Sequence, residues 1–177
     1  MKILFIDPSN STSQIHYPLV EKLNSYDDIE CIYITSYNKI NSPYYSSMYN
    51  IPKKHIFFKF ENQIRNKTIR KYFKASLYMF YSLRLLFIIF RSKYELIHFN
   101  NIHVPLIDLI IIFFLKKFSY KVILSKHNFI EHERKKQMIG ENTIYKLVDK
   151  IICLSQYTKS QFNSDLQNKI KVIEHGN

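Results

Sequence analysis

Short apolar runs recur along the chain at residues 2–6, 30–35, 55–60, 95–99, 121–125, 150–154 and 171–173, and the last four scarcely alternate between apolar and polar positions. A run without alternation reads as a strand buried on both faces, which requires layers packed above and below it. Stretches with helical spacing lie between most of the runs, at 13–24, 64–92, 103–117, 141–148 and 156–165. Strand and helix in alternation is the signature of parallel βαβ units. The expected architecture is therefore α/β: a Rossmann-like doubly wound, mostly parallel sheet of about seven strands with helices on both faces. At 177 residues it forms one domain. Residues 36–54, rich in Ser, Tyr, Asn and Pro, read as a long surface loop within reach of a substrate.

Glycine limits the chemistry. Gly140 and Gly176 are the only two, where ordinary usage of ~7% would give about twelve. Neither a Gly-x-Gly-x-x-Gly nor a Walker A loop can be written, which removes the standard dinucleotide and P-loop sites. Cys31 and Cys153 stand far apart with no Cys-x-x-Cys, so structural zinc and thiol redox chemistry are set aside and a reducing compartment fits. Glu131-His132-Glu133-Arg134-Lys135-Lys136 groups carboxylates with an imidazole, but Lys136 stands where a second histidine would complete a helical metal pair. No metal site and no cofactor is expected.

In a doubly wound sheet ligands bind beyond the carboxyl ends of the strands, where loop amides and helix amino termini converge. Those tips carry Pro8-Ser9-Asn10-Ser11-Thr12-Ser13-Gln14, Asn100-Asn101-Ile102-His103, Lys126-His127-Asn128, Ser155 and His175. Nearly all are polar without a fixed charge, a set that donates and accepts hydrogen bonds to a polyhydroxylated ligand or a phosphate. His98 lies inside a strand and reads as a buried, hydrogen-bonded core residue.

Four segments occur in series: Tyr94-Glu95-Leu96-Ile97-His98-Phe99-Asn100-Asn101-Ile102-His103, Lys121-Val122-Ile123-Leu124-Ser125-Lys126-His127-Asn128, Asp149-Lys150-Ile151-Ile152-Cys153-Leu154-Ser155-Gln156-Tyr157-Thr158, and Ile170-Lys171-Val172-Ile173-Glu174-His175-Gly176-Asn177. In order and spacing they resemble the amino-terminal half of GT-B fold glycosyltransferases of family 4. The resemblance runs the length of the chain. It implies a single amino-terminal, acceptor-binding domain over residues 1–177, half of a two-domain enzyme whose carboxyl-terminal donor-binding half is absent. It also implies a sugar moved from a nucleotide sugar, which is a substrate and not a cofactor, onto a glycan or lipid-linked acceptor. His127 matches the family histidine beside the transferred sugar and is the expected catalytic residue. Asn10, Ser13, Gln14, Asn101, His103 and Asn128 are the expected acceptor contacts. The first loop, Asp7-Pro8-Ser9-Asn10-Ser11-Thr12-Ser13, departs from the family pattern, since it lacks the usual glycine that approaches the donor phosphates.

The net charge of +12 asks for a partner. Nucleic acid is not expected, because no zinc finger, RNP signature or helix-turn-helix spacing occurs. On the 64–92 helix, Ile69, Tyr72, Ser76, Phe80, Leu83, Phe87 and Phe90 form one stripe, expected to face the sheet. The opposite stripe of Lys67, Lys71, Lys74, Tyr78, Tyr81, Leu85 and Ile88 grades from ammonium to phenol to aliphatic, the order of a headgroup boundary. Lys67, Lys71, Lys74, Tyr78 and Tyr81 are thus the expected contacts with an anionic membrane. Residues 105–118 are too short and, with Asp108, too polar to span a bilayer, and no spanning segment is expected. The resulting expectation is a hexosyltransferase of polysaccharide biosynthesis, cytoplasmic and peripheral at the inner membrane face, inactive without its donor half. The alternatives are a non-enzymatic acceptor-binding or anchoring subunit for a separate donor-binding chain, and a truncated, inactive remnant.

Overall fold

The computed structural model describes residues 1–9, 13–37, 52–58, 66–126 and 139–173. In chain order these form β1 (Lys2–Asp7), α1 (Ser13–Asn24), β2 (Glu30–Tyr37), β3 (Lys53–Phe58), α2 (Lys67–Ser92), β4 (Leu96–Phe99), α3 (Pro105–Lys117), β5 (Lys121–Lys126), α4 (Glu141–Leu147), β6 (Lys150–Cys153), α5 (Gln156–Ser160), a 3-10 turn (Ser164–Lys169) and β7 (Ile170–Val172). All seven expected strands are present, and the fold is Rossmann-like α/β. The expected fifth helix breaks after Ser160 and resumes as the 3-10 turn. Most of the expected 36–54 loop lies outside the described residues.

The chain divides into two compact units, Met1–Glu95 and Leu96–Asn177. In the first, β1 pairs with β2 and β2 with β3, both parallel, with a register shift between Thr35 and Ser36. Every residue of β1 from Ile3 to Asp7 is buried, and because successive side chains point to opposite faces, both faces of that strand are covered. Tyr33 of β2 is packed edge-on against Tyr17 of α1, with ring centroids 5.2 Å apart. In the second unit β4, β5, β6 and β7 pair in sequence, all parallel. Helix α3 buries Ile107, Ile111, Ile112 and Leu115 and begins with Pro105, whose missing N–H costs nothing in a first turn.

Glycine poverty has a local price. The residue closing α2, Lys93, sits at φ 48°, and Ser119 after α3 at φ 63°, left-handed positions usually held by glycine. Each non-glycine there costs about 1 kcal/mol. Gly140, at φ 96°, takes the one such position before α4.

The structure inverts the expected faces of α2. Ser82, Leu85, Leu86 and Ile89 are buried, whereas Ile69, Tyr72, Phe80, Leu83, Phe87 and Phe90 are exposed. Tyr78 and Tyr81 are half-buried. Tyr78 stacks on Phe57 of β3 at 5.6 Å, and Tyr81 meets the same ring edge-on at 6.2 Å. Those two tyrosines are packing residues. Leu85, expected on the lipid stripe, is buried too. Lys74 is exposed, and the side chains of Lys67 and Lys71 lie outside the described residues. The expectation of no spanning segment rested on α3, but by length and apolar composition the segment Thr68–Ser92 is long enough to cross a membrane.

Both cysteines are free and buried. Burial pushes the Cys31 thiol up to about 12 and the Cys153 thiol up to about 11, the latter in spite of the nearby Lys159 and Lys126 ammonium groups. The thiolate is the reactive form. Native protein at pH 8 is expected to take up no Ellman's reagent, and two equivalents once denatured; rapid labelling of the native chain would show that one of the two sites is open.

Candidate functional site

The carboxyl ends of the strands are built differently in the two units. In the first, β1 ends at Asp7, a carboxylate with no solvent exposure. Its Oδ1 accepts the Ser9 backbone N–H at 3.2 Å and the Ser9 hydroxyl at 2.8 Å, and its Oδ2 accepts the Tyr33 hydroxyl at 2.9 Å. The Asp7 carbonyl accepts the Thr35 hydroxyl at 2.9 Å. The turn that leaves β1 is therefore latched on three sides before the chain reaches α1. Burial, and then the Asp7 carboxylate, hold the Tyr33 phenol well above its ordinary range, so it stays a neutral donor. Ser13 and Gln14 open α1, with their side chains outside the described residues, and Asn10 lies outside them altogether.

In the second unit β4 ends at Phe99, followed by Asn100, which is buried, and Asn101, which is half-buried. The Asn101 side-chain oxygen accepts the Ile102 N–H at 2.9 Å. Asp108, four positions into the α3 side of the turn and 2% exposed, reaches back to accept the His103 N–H at 2.7 Å and the Val104 N–H at 3.0 Å. Val104 itself supplies no side-chain cap, so the carboxylate does the work of one and meets the positive end of the helix. His103 is half-buried and anchored through its backbone.

Strand β5 ends at Ser125 and Lys126, both buried. The Ser125 hydroxyl lies 2.8 Å from Nε2 of His98, which fixes His98 as the core residue it was expected to be. Lys126 is the last residue of the strand and pairs in register with Cys153 of β6. Ser155 accepts the Thr158 N–H at 3.0 Å as the cap of α5. His127, Asn128, His175 and the stretch from Glu131 to Lys136 lie outside the described residues. At the opposite, amino-terminal edge of the strands, Asp149 is exposed; desolvation pushes its carboxyl up, but Lys116 at 2.6 Å and the Val122 N–H outweigh this and hold it below the ordinary carboxylate range.

The ends of β4, β5 and β6 thus carry amides, hydroxyls and the buried Lys126, residue types that hydrogen-bond hydroxyl groups and phosphates. Among the described residues no group of three or more His, Cys, Asp or Glu is placed to hold a metal ion. Asp7 and Asp108 were not singled out by sequence reasoning. The signals were present: an acid directly after four apolar strand residues, and an acid in the first turn after Pro105.

No curated protein matches the chain in sequence. Solved structures match it in fold. UDP-GlcNAc 2-epimerase from Neisseria meningitidis bound to UDP-GlcNAc superposes with a TM-score of 0.68 at 9% identity, over 97% of this chain and 45% of its own. Anabaena Alr3699/HepE in complex with UDP and glucose gives 0.59 at 18% identity, over 99% and 45%. Acinetobacter baumannii MurG gives 0.62 at 10% identity, over 97% and 45%. The chain spans less than half the length of each of these. At such identities the likeness is one of fold. The family is settled by sequence: residues 50–176, well over half of the chain, match the model of Glycosyltransferase Family 4, and the protein belongs to that family.

Proposed function

We propose that this chain is the acceptor-binding half of a hexosyltransferase that moves a sugar from a nucleotide sugar to a glycan or lipid-linked acceptor at the cytoplasmic face of the membrane. The observation that carries the reading is the pairing of family membership with the residues at the ends of β4, β5 and β6: Asn100 and Asn101, the buried Lys126, and Ser155, with His127 next after Lys126 in the chain. In this reading His127 orients the acceptor hydroxyl or steadies charge on the departing phosphate. Asn10, Ser13, Gln14, Asn101, His103 and Asn128 contact the acceptor, and the donor is held by the other half of such an enzyme. A second reading, a non-enzymatic anchoring subunit that recruits a donor-binding chain, draws support from the exposed aromatic arc of α2.

Radiolabelled UDP-glucose and UDP-N-acetylglucosamine test the division of labour with detergent-solubilised polyprenyl-phosphate-linked saccharides as acceptors. The chain alone is expected to give no labelled product. Product is expected when a family donor-binding half is supplied, and it disappears with His127→Ala. Turnover by the chain alone would refute the half-enzyme reading; full activity of the histidine variant would refute the role of His127.

A further inference from the structure

Helix α2 has two apolar arcs, and among the described residues one is buried and the other exposed, with Phe80 of the exposed arc edge-on to Tyr81 at 5.7 Å. Ser82, Leu85, Leu86 and Ile89 are buried, and Tyr78 and Tyr81 are held by Phe57. The other arc carries Tyr72, Phe80, Leu83, Phe87 and Phe90, of which Tyr72, Phe80 and Phe87 are 70%, 63% and 64% exposed. Phe80, Leu83, Phe87 and Phe90 recur at three- and four-residue spacing and form one continuous stripe, and Tyr72 lies on the same face two turns earlier, beyond Ser76. Large aromatic side chains left in water over several turns mark an interaction surface.

Charge identifies the partner. Six of the 26 residues of α2 are basic (Lys67, Arg70, Lys71, Lys74, Arg84 and Arg91), and none is Asp or Glu. Arg84 lies one turn from both Phe80 and Phe87, and Arg91 one turn beyond Phe87, and both guanidinium groups are exposed. A second copy of the chain would bring the same cations face to face, and repulsion opposes that pairing. An anionic leaflet offers the complement to both features, hydrocarbon for the rings and phosphate for the arginines.

We infer that the Tyr72, Phe80, Leu83, Phe87 and Phe90 arc of α2 is the face that docks on an anionic lipid surface, with Arg84 and Arg91 at the headgroup phosphates. This rests on the membrane-face reading above and replaces the stripe of Lys67, Lys71, Lys74, Tyr78 and Tyr81 as the contact. Although long enough to cross a bilayer, α2 lies in the interface plane, because its buried arc is committed to protein. Laid flat, its 26 residues cover about 39 Å of membrane surface.

The chain contains no tryptophan, so a single one reports its own surroundings. Phe87→Trp is expected to shift to shorter emission wavelength with phosphatidylglycerol-containing vesicles and to be quenched by brominated acyl chains. Tyr157→Trp, at an exposed site of the other unit, is the comparison and is expected to stay unshifted. Phe80→Ser/Leu83→Ser/Phe87→Ser should lower partition onto these vesicles by tenfold or more, and Arg84→Glu/Arg91→Glu should remove the preference over phosphatidylcholine. All these positions are exposed, and circular dichroism checks that each variant is folded. Failure of the unaltered chain to float with anionic vesicles would overturn the membrane reading itself. Flotation of the unaltered chain, together with unshifted emission from the Phe87→Trp variant and an unimpaired triple variant, would overturn this face alone. So would a lipid-free dimer, seen by sedimentation, that the triple serine variant dissolves.

Discussion

Asp7→Ala is expected to destabilise the protein by on the order of 3–4 kcal/mol, a large share of the ~5–15 kcal/mol that holds a domain of this size folded. The loss has two parts. The Tyr33 hydroxyl, fully buried, loses the carboxylate that accepts it at 2.9 Å. The Ser9 N–H and hydroxyl lose the same carboxylate, which frees the turn after β1. Urea titration followed by circular dichroism reads the change as a lower midpoint at unchanged slope. Tyr33→Phe alone removes one donor and leaves Asp7 with Ser9, so its cost should be near 1–2 kcal/mol. The double variant should lose clearly less than the sum, because the two side chains interact directly. A loss below about 1 kcal/mol for Asp7→Ala would mean that the carboxylate does not secure the turn.

Asp7 also shows where sequence reasoning stops. The apolar run before it announces a buried strand, and the strand is there. The acid at its end carries no such message, since the meaning of a buried carboxylate depends on which donors the fold brings to it. Tyr33 is 26 residues away and arrives by the pairing of β1 with β2. Helix α2 fails for a related reason. Periodicity defines stripes on a helix but not which stripe turns inward when both are apolar. The lysines at 67, 71 and 74 occupy the first turns, ahead of the part that packs on β3, so their charge says nothing about the arc chosen later along the helix. Phe57 makes that choice, and only the parallel pairing of β2 with β3 places Phe57 under Tyr78 and Tyr81. By contrast His98 was legible, because a histidine inside a nearly continuous apolar run has little option but to find a buried partner.

Asp108→Ala should cost on the order of 2–3 kcal/mol and alter the strand tip that carries the candidate acceptor contacts. One carboxylate oxygen accepts two backbone N–H groups, from His103 and Val104, at the start of a helix whose cap residue offers no side chain for the purpose. Alanine leaves both part-buried donors without this acceptor, and the helix loses a negative charge at its positive end. Asp108→Asn separates the two effects: its amide oxygen keeps the acceptor but not the charge, so about half of the loss should return. The position of His103 depends on the same bonds. Hydrogen exchange should therefore quicken at His103 and Val104 in the alanine variant while the amides of β5 stay protected at the level set by global stability. Exchange at those two amides as slow as in the unaltered chain would show that the turn is held by packing of Ile102 and Pro105 and not by the carboxylate. The asparagine variant then decides what the acid is for. Recovery of slow exchange with asparagine means that geometry alone secures the loop, and continued fast exchange means that the charge on Asp108 is what holds the amino end of α3 to the tip of β4.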